Sequence, residues 1–233
     1  MNKTGRLIFL LLMASTVIYS NAQVKLGVNA GLNFTNMVAK DDSSRYDDDF
    51  QLKPGIHIGG TAEFTVIENF SIVGGIFLST MGYKSKSEST TVKMNVNYLA
   101  FPLYAKYRFK VKDFFILANA GPYLSFGLNG TYKSNENIFR DKEGNQVNKI
   151  PINIGRYETD ELKQVDYGVN IGTGIEYESF VFEIHYGLGL ANLATITDNN
   201  FMMKNRSLEI SAGYKFGISP EQSRKSKTRG RIR

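Results

Sequence analysis

The strongest constraint on the fold is a strict alternation of bulky and small or polar residues, clearest at residues 179–193, "SFVFEIHYGLGLANL". Every second residue there is bulky: Phe180, Phe182, Ile184, Tyr186, Leu188 and Leu190. The residues between them are mostly small or polar: Val181, Glu183, His185, Gly187, Gly189 and Ala191. A period of two predicts a β-strand with two unlike faces. The function depends on which face points inward, because a soluble barrel buries its bulky row and a membrane barrel turns that row to lipid.

The same alternation occurs in eight segments, so we predict an all-β fold. The expected strands are residues 23–34, 56–64, 70–83, 94–109, 114–128, 166–177, 179–193 and 207–216. The fourth segment changes phase near "NYLAFP", where Tyr98 belongs to one row and Leu99 and Phe101 to the other. We predict a β-bulge in this strand, with Pro102 tolerated beside it.

The connections between these segments alternate in length. The long ones are residues 35–53, 84–93, 129–163 and 194–205, and the short ones are 65–69, 110–113 and 178–179. Transmembrane barrels pair short periplasmic turns with longer extracellular loops, and an even number of strands leaves both termini in the periplasm. The sequence therefore predicts an eight-stranded antiparallel up-and-down transmembrane β-barrel in the outer membrane, with both termini periplasmic.

The composition of the two rows indicates which one faces lipid. The polar row is mainly Gly, Asn, Ser and Thr with scattered charges, whereas the water-facing row of a soluble barrel would be dense in Lys and Glu. Eight strands enclose only enough room for side chains, so this row fits a narrow lumen. Aromatic residues of the bulky row gather at the short-turn ends, as in an interfacial girdle. They are Phe64, Phe70, Phe109, Phe114, Tyr177, Phe180 and Phe216.

The termini differ from the body of the chain. Lys3 and Arg6 precede an apolar run and small residues, which predicts a signal peptide at 1–22, a barrel domain at 23–218 and a basic tail at 219–233. The net charge of +6 comes from the signal and the tail, so the barrel domain is nearly neutral and a nucleic-acid partner is not expected. The tail lacks aromatic residues and a strand period, so we expect it to be disordered in the periplasm. With no cysteine in the chain, neither a lipid anchor nor a disulfide is possible.

Five segments carry a family resemblance. They are "NYLAFPLYAKYRF" at 97–109, "AGPYLSFGL" at 120–128, "DYGVNIGTGIEY" at 166–177, "HYGLGLANL" at 185–193 and "SLEISAGYKFG" at 207–217. In this order they resemble the porin-family, or PorT-like, outer membrane β-barrel domain of Bacteroidetes, over residues 24–217. The resemblance implies an outer-membrane barrel and brings no catalytic residues with it.

Ionisable residues on the polar row are the candidate functional groups. We expect them to form a polar network in the lumen: His57, Glu63, Lys106, Arg108, Glu176, Glu183, His185, Glu209 and Lys215. A catalytic interpretation would pair a histidine with a glutamate as base and orienting group. We favour a structural network of ion pairs, because charges in a narrow lumen must pair to offset desolvation.

Metal and cofactor sites are not expected. The two histidines lie on distant strands and follow no ligand spacing. The acidic loop "KDDSSRYDDDF" at 40–50 lacks the residue order of a calcium-binding EF-hand, so a solvated loop is the better interpretation. The glycines at 168, 172 and 174 alternate within a strand, unlike a phosphate-binding loop.

The leading functional hypothesis is a small non-enzymatic outer-membrane barrel with a filled polar lumen and surface loops for contact or envelope support. The loop at 129–163 is the largest candidate surface and could contain a small hairpin around its Glu-Gly-Asn turn. The alternatives are a passive channel for small or apolar solutes, an enzyme at the lumen mouth, and a soluble lipocalin-like carrier. The expected partners are outer membrane lipids and an anionic periplasmic surface for the tail, and the oligomeric state stays open.

Overall fold

The computed structural model describes residues 24–46, 50–87 and 89–216. Eight long strands form the wall, numbered here in chain order: β1 Val24–Lys40, β2 Lys53–Ile67, β3 Phe70–Met81, β4 Thr90–Val111, β5 Phe114–Ser134, β6 Val165–Tyr177, β7 Phe180–Gly189 and β8 Met202–Phe216. Short strands lie in the connections: Phe50–Gln51, Lys84–Ser87, Phe139–Arg140, Gln146–Val147, Lys149–Ile152, Ile154–Gly155 and Leu162–Lys163. A single turn of 3-10 helix spans Asp198–Asn200. The predicted signal peptide at 1–22 and basic tail at 219–233 lie outside the described residues.

The eight wall strands close into a ring. Each strand pairs antiparallel with the next one in the chain, and β8 pairs with β1 from Leu26 opposite Phe216 to Lys40 opposite Met202. Closure leaves no unpaired strand edge, as an apolar surrounding requires. The predicted eight-stranded up-and-down β-barrel is confirmed. Within the described ranges, no helix is long and apolar enough to cross a membrane.

The two rows of each strand face opposite sides of the wall. On β1, Leu26, Val28 and Leu32 on the outside are each more than half exposed, whereas Asn33 and Thr35 on the inside are at most 1% exposed. The bulky row therefore points outward, as predicted. A soluble carrier would bury this row, so the lipocalin-like alternative is wrong.

The two ends of the barrel differ as the connection lengths predicted. Two-residue turns at 68–69, 112–113 and 178–179 join strands at one end, which we call the short-turn end. Lys112 and Glu178 both have φ 53°, the left-handed conformation typical of two-residue hairpin turns. The opposite end, called the loop end, carries the longer connections 41–52, 82–89, 135–164 and 190–201.

Several strand boundaries differ from the predicted ones. At the loop end β1 and β5 extend past the predicted ends at residues 34 and 128, because their pairing with neighbouring strands continues to Lys40 and Ser134. In contrast, β3 stops at Met81, where Gly82 takes φ 144°. β7 stops at Gly189, before the predicted end at residue 193.

The prediction of a bulge in β4 is wrong, and the irregularity lies in its partner. The inward row of β4 continues without a change of phase from Met94 through Tyr98 to Arg108. The pairing passes from Asn97 opposite Asn129 to Tyr98 opposite Gly127, so the additional residue is Leu128 on β5. The error arose because inward residues of β4 near the loop end are apolar, which in sequence looks like a change of row.

Candidate functional site in the barrel lumen

All nine ionisable side chains predicted for the lumen lie on inward rows. Glu183, Glu209 and Lys215 are half-buried, and the other six are buried: His57, Glu63, Lys106, Arg108, Glu176 and His185. They come from β2, β4, β6, β7 and β8. Their inward direction follows from strand parity alone, because each row shares one face.

A compact ion-pair network fills the short-turn half of the lumen. Lys215 Nζ lies 2.6 Å from Glu63 Oε2 and 2.6 Å from Glu176 Oε2. Arg108 Nη1 lies 3.9 Å from Glu63 Oε1 and 3.8 Å from Glu176 Oε1. Two cations therefore alternate with two carboxylates, and every member is at most 11% exposed at its side chain. Pairing of this kind offsets the desolvation of each charge.

Arg108 also ties this network to the adjacent turn. Its Nη2 donates to the carbonyl oxygen of Glu68 at 3.0 Å, and its guanidinium lies 5.6 Å from the ring centroid of Phe115. Both contacts fix the planar guanidinium across the end of the lumen. The network thus forms a polar closure at the short-turn end.

A second ion pair lies next to this network. Lys106 Nζ is 2.8 Å from Glu183 Oε1, and the Asn119 side-chain amide donates to the same oxygen at 2.9 Å. Asn119 was not among the predicted lumen residues, although its place on the inward row of β5 could have identified it.

The two histidines line the same small cavity as the Lys106–Glu183 pair. His57 Nδ1 is hydrogen-bonded to the Asn33 side-chain oxygen, and the amide of Asn33 donates to Ser79 Oγ at 2.7 Å. His185 stacks on Tyr104, with centroids 5.0 Å apart and planes at 15°. Tyr104 accepts a hydrogen bond from the Asn170 amide at 2.9 Å. Polar and aromatic neighbours hold both rings in place.

The cavity between these groups measures about 60 Å³, taken as the space open to the centres of water molecules. Such a space has room for a few water molecules. Its lining mixes apolar residues, among them Val73, Phe77 and Pro102, with polar ones, among them His185 and Glu209. Such a space is far smaller than a solute channel.

Among the described residues, neither histidine is hydrogen-bonded to a carboxylate. His185 lies directly opposite Glu209 in the ladder, yet its Nε2 has no hydrogen-bond partner and Glu209 accepts from Ser207 Oγ at 3.3 Å. His57 is oriented by an amide rather than by a carboxylate. Within the described ranges, no group of three or more His, Asp or Glu residues is arranged to hold a metal ion.

A polar layer missed by sequence analysis lies above the cavity. Asp166 is fully buried, and its Oδ2 accepts from the Asn205 amide at 2.8 Å and from Tyr123 Oη at 3.2 Å. Asp166 and Tyr123 both occupy inward positions, so strand parity was the available signal. Their partners come from other strands and could not be read from local sequence.

An apolar cluster closes the loop end of the barrel. We call it the loop-end cluster, and its buried members are Met37, Met81, Met94, Val96, Tyr98, Ile152, Leu162, Ala191 and Leu193. It combines inward residues of the wall with residues of the connections at 135–164 and 190–201. Phe50 and Tyr83 pack against it and stack on each other with centroids 4.0 Å apart. The lumen is therefore blocked at this end by apolar packing.

The seven predicted girdle residues lie on the outward row around the short-turn end: Phe64, Phe70, Phe109, Phe114, Tyr177, Phe180 and Phe216. Phe216 lies next to Tyr214, with centroids 5.1 Å apart, and Tyr214 contacts Phe180 at 5.3 Å. Tyr107 adds a further ring beside Phe109 at 4.7 Å. Rings with this exposure fit a position at a membrane–water interface.

The surface loops contain local turn structure. The hairpin considered for loop 129–163 is present, because Phe139–Arg140 pairs with Gln146–Val147. In the acidic loop, Asp41 accepts hydrogen bonds from Tyr46 Oη and from the backbone N–H groups of Ser43 and Ser44, each at 2.7 Å. The hydrogen bond from Tyr46, followed by those two N–H groups, lowers the pKa of the Asp41 carboxyl. Three further acidic residues of this loop, Asp47, Asp48 and Asp49, lie outside the described residues.

Comparison with known proteins gives one family and several solved structures. Ail, the attachment invasion locus protein of Yersinia pestis, is 12% identical over 83% of this chain and 99% of that chain, with a TM-score of 0.41. Neisserial surface protein A is 14% identical over 84% of this chain and 100% of that chain, with a TM-score of 0.41. The outer membrane protease OmpT from Escherichia coli is 11% identical over 84% of this chain and 97% of that chain, with a TM-score of 0.42.

At these identities and scores, the three structures carry no argument about function. No curated protein sequence matches the chain. The family model for the outer membrane protein beta-barrel domain matches residues 14–195. That match covers most of the eight-stranded wall. The outward apolar row of the wall is what an outer-membrane barrel requires. The chain therefore belongs to the outer membrane protein beta-barrel domain family.

Proposed function

We propose that this protein is a non-conducting, non-enzymatic outer-membrane barrel of the PorT-like type found in Bacteroidetes, whose surface loops serve contact or envelope support. The observation that carries the proposal is the double closure of the lumen. An ion-pair network fills the short-turn half, and the loop-end cluster fills the other end. A barrel that passes solutes needs a lumen that is open from end to end, whereas packed side chains fill both ends of this one.

The passive-channel alternative requires a continuous path, and the cavity of about 60 Å³ lies between the two closures. The enzymatic alternative requires a base oriented by a carboxylate beside an accessible reacting group. Both histidines are only 5% exposed. Asn33 and Phe77 contact the His57 ring, and Tyr104 stacks on the His185 ring. These contacts support a structural role for both rings.

Planar-bilayer recording tests the closed lumen. Purified wild-type protein should show no steady conductance, and neither should a variant with Arg108→Ala and Lys215→Ala, because the loop-end cluster still blocks the path. A variant with Met94→Ala and Tyr98→Ala should also show no steady conductance, because the ion-pair network still blocks the path. Only the combination of all four substitutions should conduct. A large, steady current through the wild type would overturn the proposal in favour of a channel.

The proposed orientation places both termini in the periplasm and the loop end outside the cell. The cysteine-free chain makes this simple to test with single cysteines. Glu143→Cys, in the hairpin turn of the loop end, should react with a membrane-impermeant maleimide in intact cells. Asp113→Cys, in a short turn, should react only after the outer membrane is permeabilised. The reverse pattern would refute the orientation.

The basic tail at 219–233 is proposed to contact an anionic periplasmic surface, on the strength of its six basic residues against one glutamate. Truncation after Gly217 should leave heat-modifiable gel mobility intact and weaken salt-sensitive association with isolated cell-wall material. Unchanged association would remove the partner proposal. Failure of the truncated chain to insert would instead assign the tail to assembly.

A further inference from the structure

Four lysines from four neighbouring strands stand in one row of the ladder at the loop end. Lys84 lies directly opposite Lys93, Lys93 opposite Lys133, and Lys133 opposite Lys149. We call these four residues the lysine row. They are far apart in sequence, and only the register of the strands brings them together.

The lysine row faces away from the lumen. In the strands of Lys93, Lys133 and Lys149, the other row points inward: Met94 and Ile152 are buried in the loop-end cluster, and Tyr132 packs against it. Lys84 lies opposite Lys93 and shares its face. Because side chains alternate across a strand, the lysines beside them point outward. Lys93, Lys133 and Lys149 are accordingly exposed, and Lys84 is half-buried.

The row is electrostatically unfavourable by itself. Neighbouring strands are about 4.8 Å apart, so four ammonium groups line a path of roughly 14 Å, and like charges directly opposite one another destabilise a sheet. No ion pair among residues 24–46, 50–87 and 89–216 includes any of the four. The nearby carboxylate of Glu136 accepts a hydrogen bond from Thr90 Oγ1 at 3.0 Å. An anion from outside the chain would offset the repulsion.

The height of the row above the apolar band indicates which anion. The outward apolar row of β5 ends at Leu128, five residues before Lys133, with the polar Asn129 and Thr131 between them. At about 3.3 Å per residue and a tilt of about 40°, the row stands roughly 13 Å beyond the band. A phospholipid headgroup layer extends only about 5–8 Å beyond the hydrocarbon. An anionic glycolipid whose phosphates are carried on sugars beyond the headgroup layer would reach this height.

We propose that the lysine row binds the phosphate groups of lipopolysaccharide surrounding the barrel in the outer leaflet. The outer-leaflet assignment rests on the proposed orientation. Each lysine supplies a point charge with three donors, and the spacing of the row suits several phosphates on one glycolipid or on adjacent ones. The outward direction favours a partner beside the wall over a partner above the loops.

Titration of the detergent-folded protein with purified lipopolysaccharide tests the row. The variant Lys93→Gln with Lys133→Gln removes its two central charges. The matched control, Lys110→Gln with Lys112→Gln, removes two exposed lysines at the short-turn end. We expect the central variant to lose about tenfold or more in affinity and the control to match wild type. Heat-modifiable gel mobility verifies that both variants are folded.

Two further measurements complete the test. Wild-type affinity should fall with added salt, and lipopolysaccharide stripped of its phosphates should bind as weakly as intact lipopolysaccharide binds the central variant. Equal affinity of the central variant and wild type would overturn the proposal. Lysine-dependent binding of dextran sulfate as tight as that of lipopolysaccharide would overturn the lipid assignment and indicate a soluble polyanion. Cysteine labelling in cells tests the orientation separately, so its failure is distinguishable from failure of the row.

Discussion

An arginine at position 184 should be costly because the position lies near the middle of the membrane. Ile184 is on the outward row of β7, four residues from Phe180 at the short-turn end, and 47% exposed. At about 3.3 Å per residue and a tilt of about 40°, it lies roughly 10 Å into an apolar band about 25 Å tall. A lipid-facing arginine near this depth costs about 2–4 kcal/mol. We therefore expect Ile184→Arg to lower the free energy of unfolding by that amount.

Equilibrium denaturant unfolding in phospholipid bilayers measures this loss, with Leu190→Arg as the matched control. Leu190 is also half exposed, but it follows the last residue of β7 at the edge of the band. The cost of arginine falls to about 0–1 kcal/mol near the interface. Equal destabilisation by the two arginines would refute the depth assigned to β7.

Three further predictions concern the lumen, a loop and a strand end. Lys106→Met should destabilise by about 3–5 kcal/mol because Glu183, whose side chain is only 11% exposed, loses its ion-pair partner, and adding Glu183→Leu should recover part of the loss in the same unfolding assay. Tyr46→Phe should raise the lowered pKa of Asp41 by removing a hydrogen bond to the carboxylate, as carboxyl NMR titration would detect. In wild type, these hydrogen bonds are present above the ordinary pKa of an aspartate and are lost as pH falls through the lowered value. Gly82→Ala should destabilise by about 1–3 kcal/mol because φ is 144° there, and an unchanged unfolding midpoint would contradict this.

The alternation of residues was sufficient to predict the wall. Its period of two fixes which side chains share a face, and the contrast between rows tells which face meets lipid. That is why the direction of Ile184 and of the buried Glu176 could both be expected from sequence. Connection lengths add the order of the strands around the ring, since short turns force neighbours to pair antiparallel.

Local sequence was misleading where an apolar residue faces inward. Tyr98 was taken to mark a change of phase, although β4 alternates without interruption and Tyr98 is 1% exposed inside the loop-end cluster. The additional residue is Leu128, in the opposing strand. A polar row in the sequence identifies inward residues only where the lumen is polar. At the loop end the lumen is apolar, because apolar residues of the connections pack into it.

Contacts between strands were decided by the tertiary structure alone. The pairing of Lys215 with both Glu63 and Glu176 and the alignment of Lys93 with Lys133 depend on which residues stand opposite each other. Alternation is unchanged when a strand slides by two residues, so a sequence with this period defines faces without defining register. The register is set by the turns, the bulge and the closure of the ring together. Closure pairs the first strand with the last, and these two strands are distant in sequence.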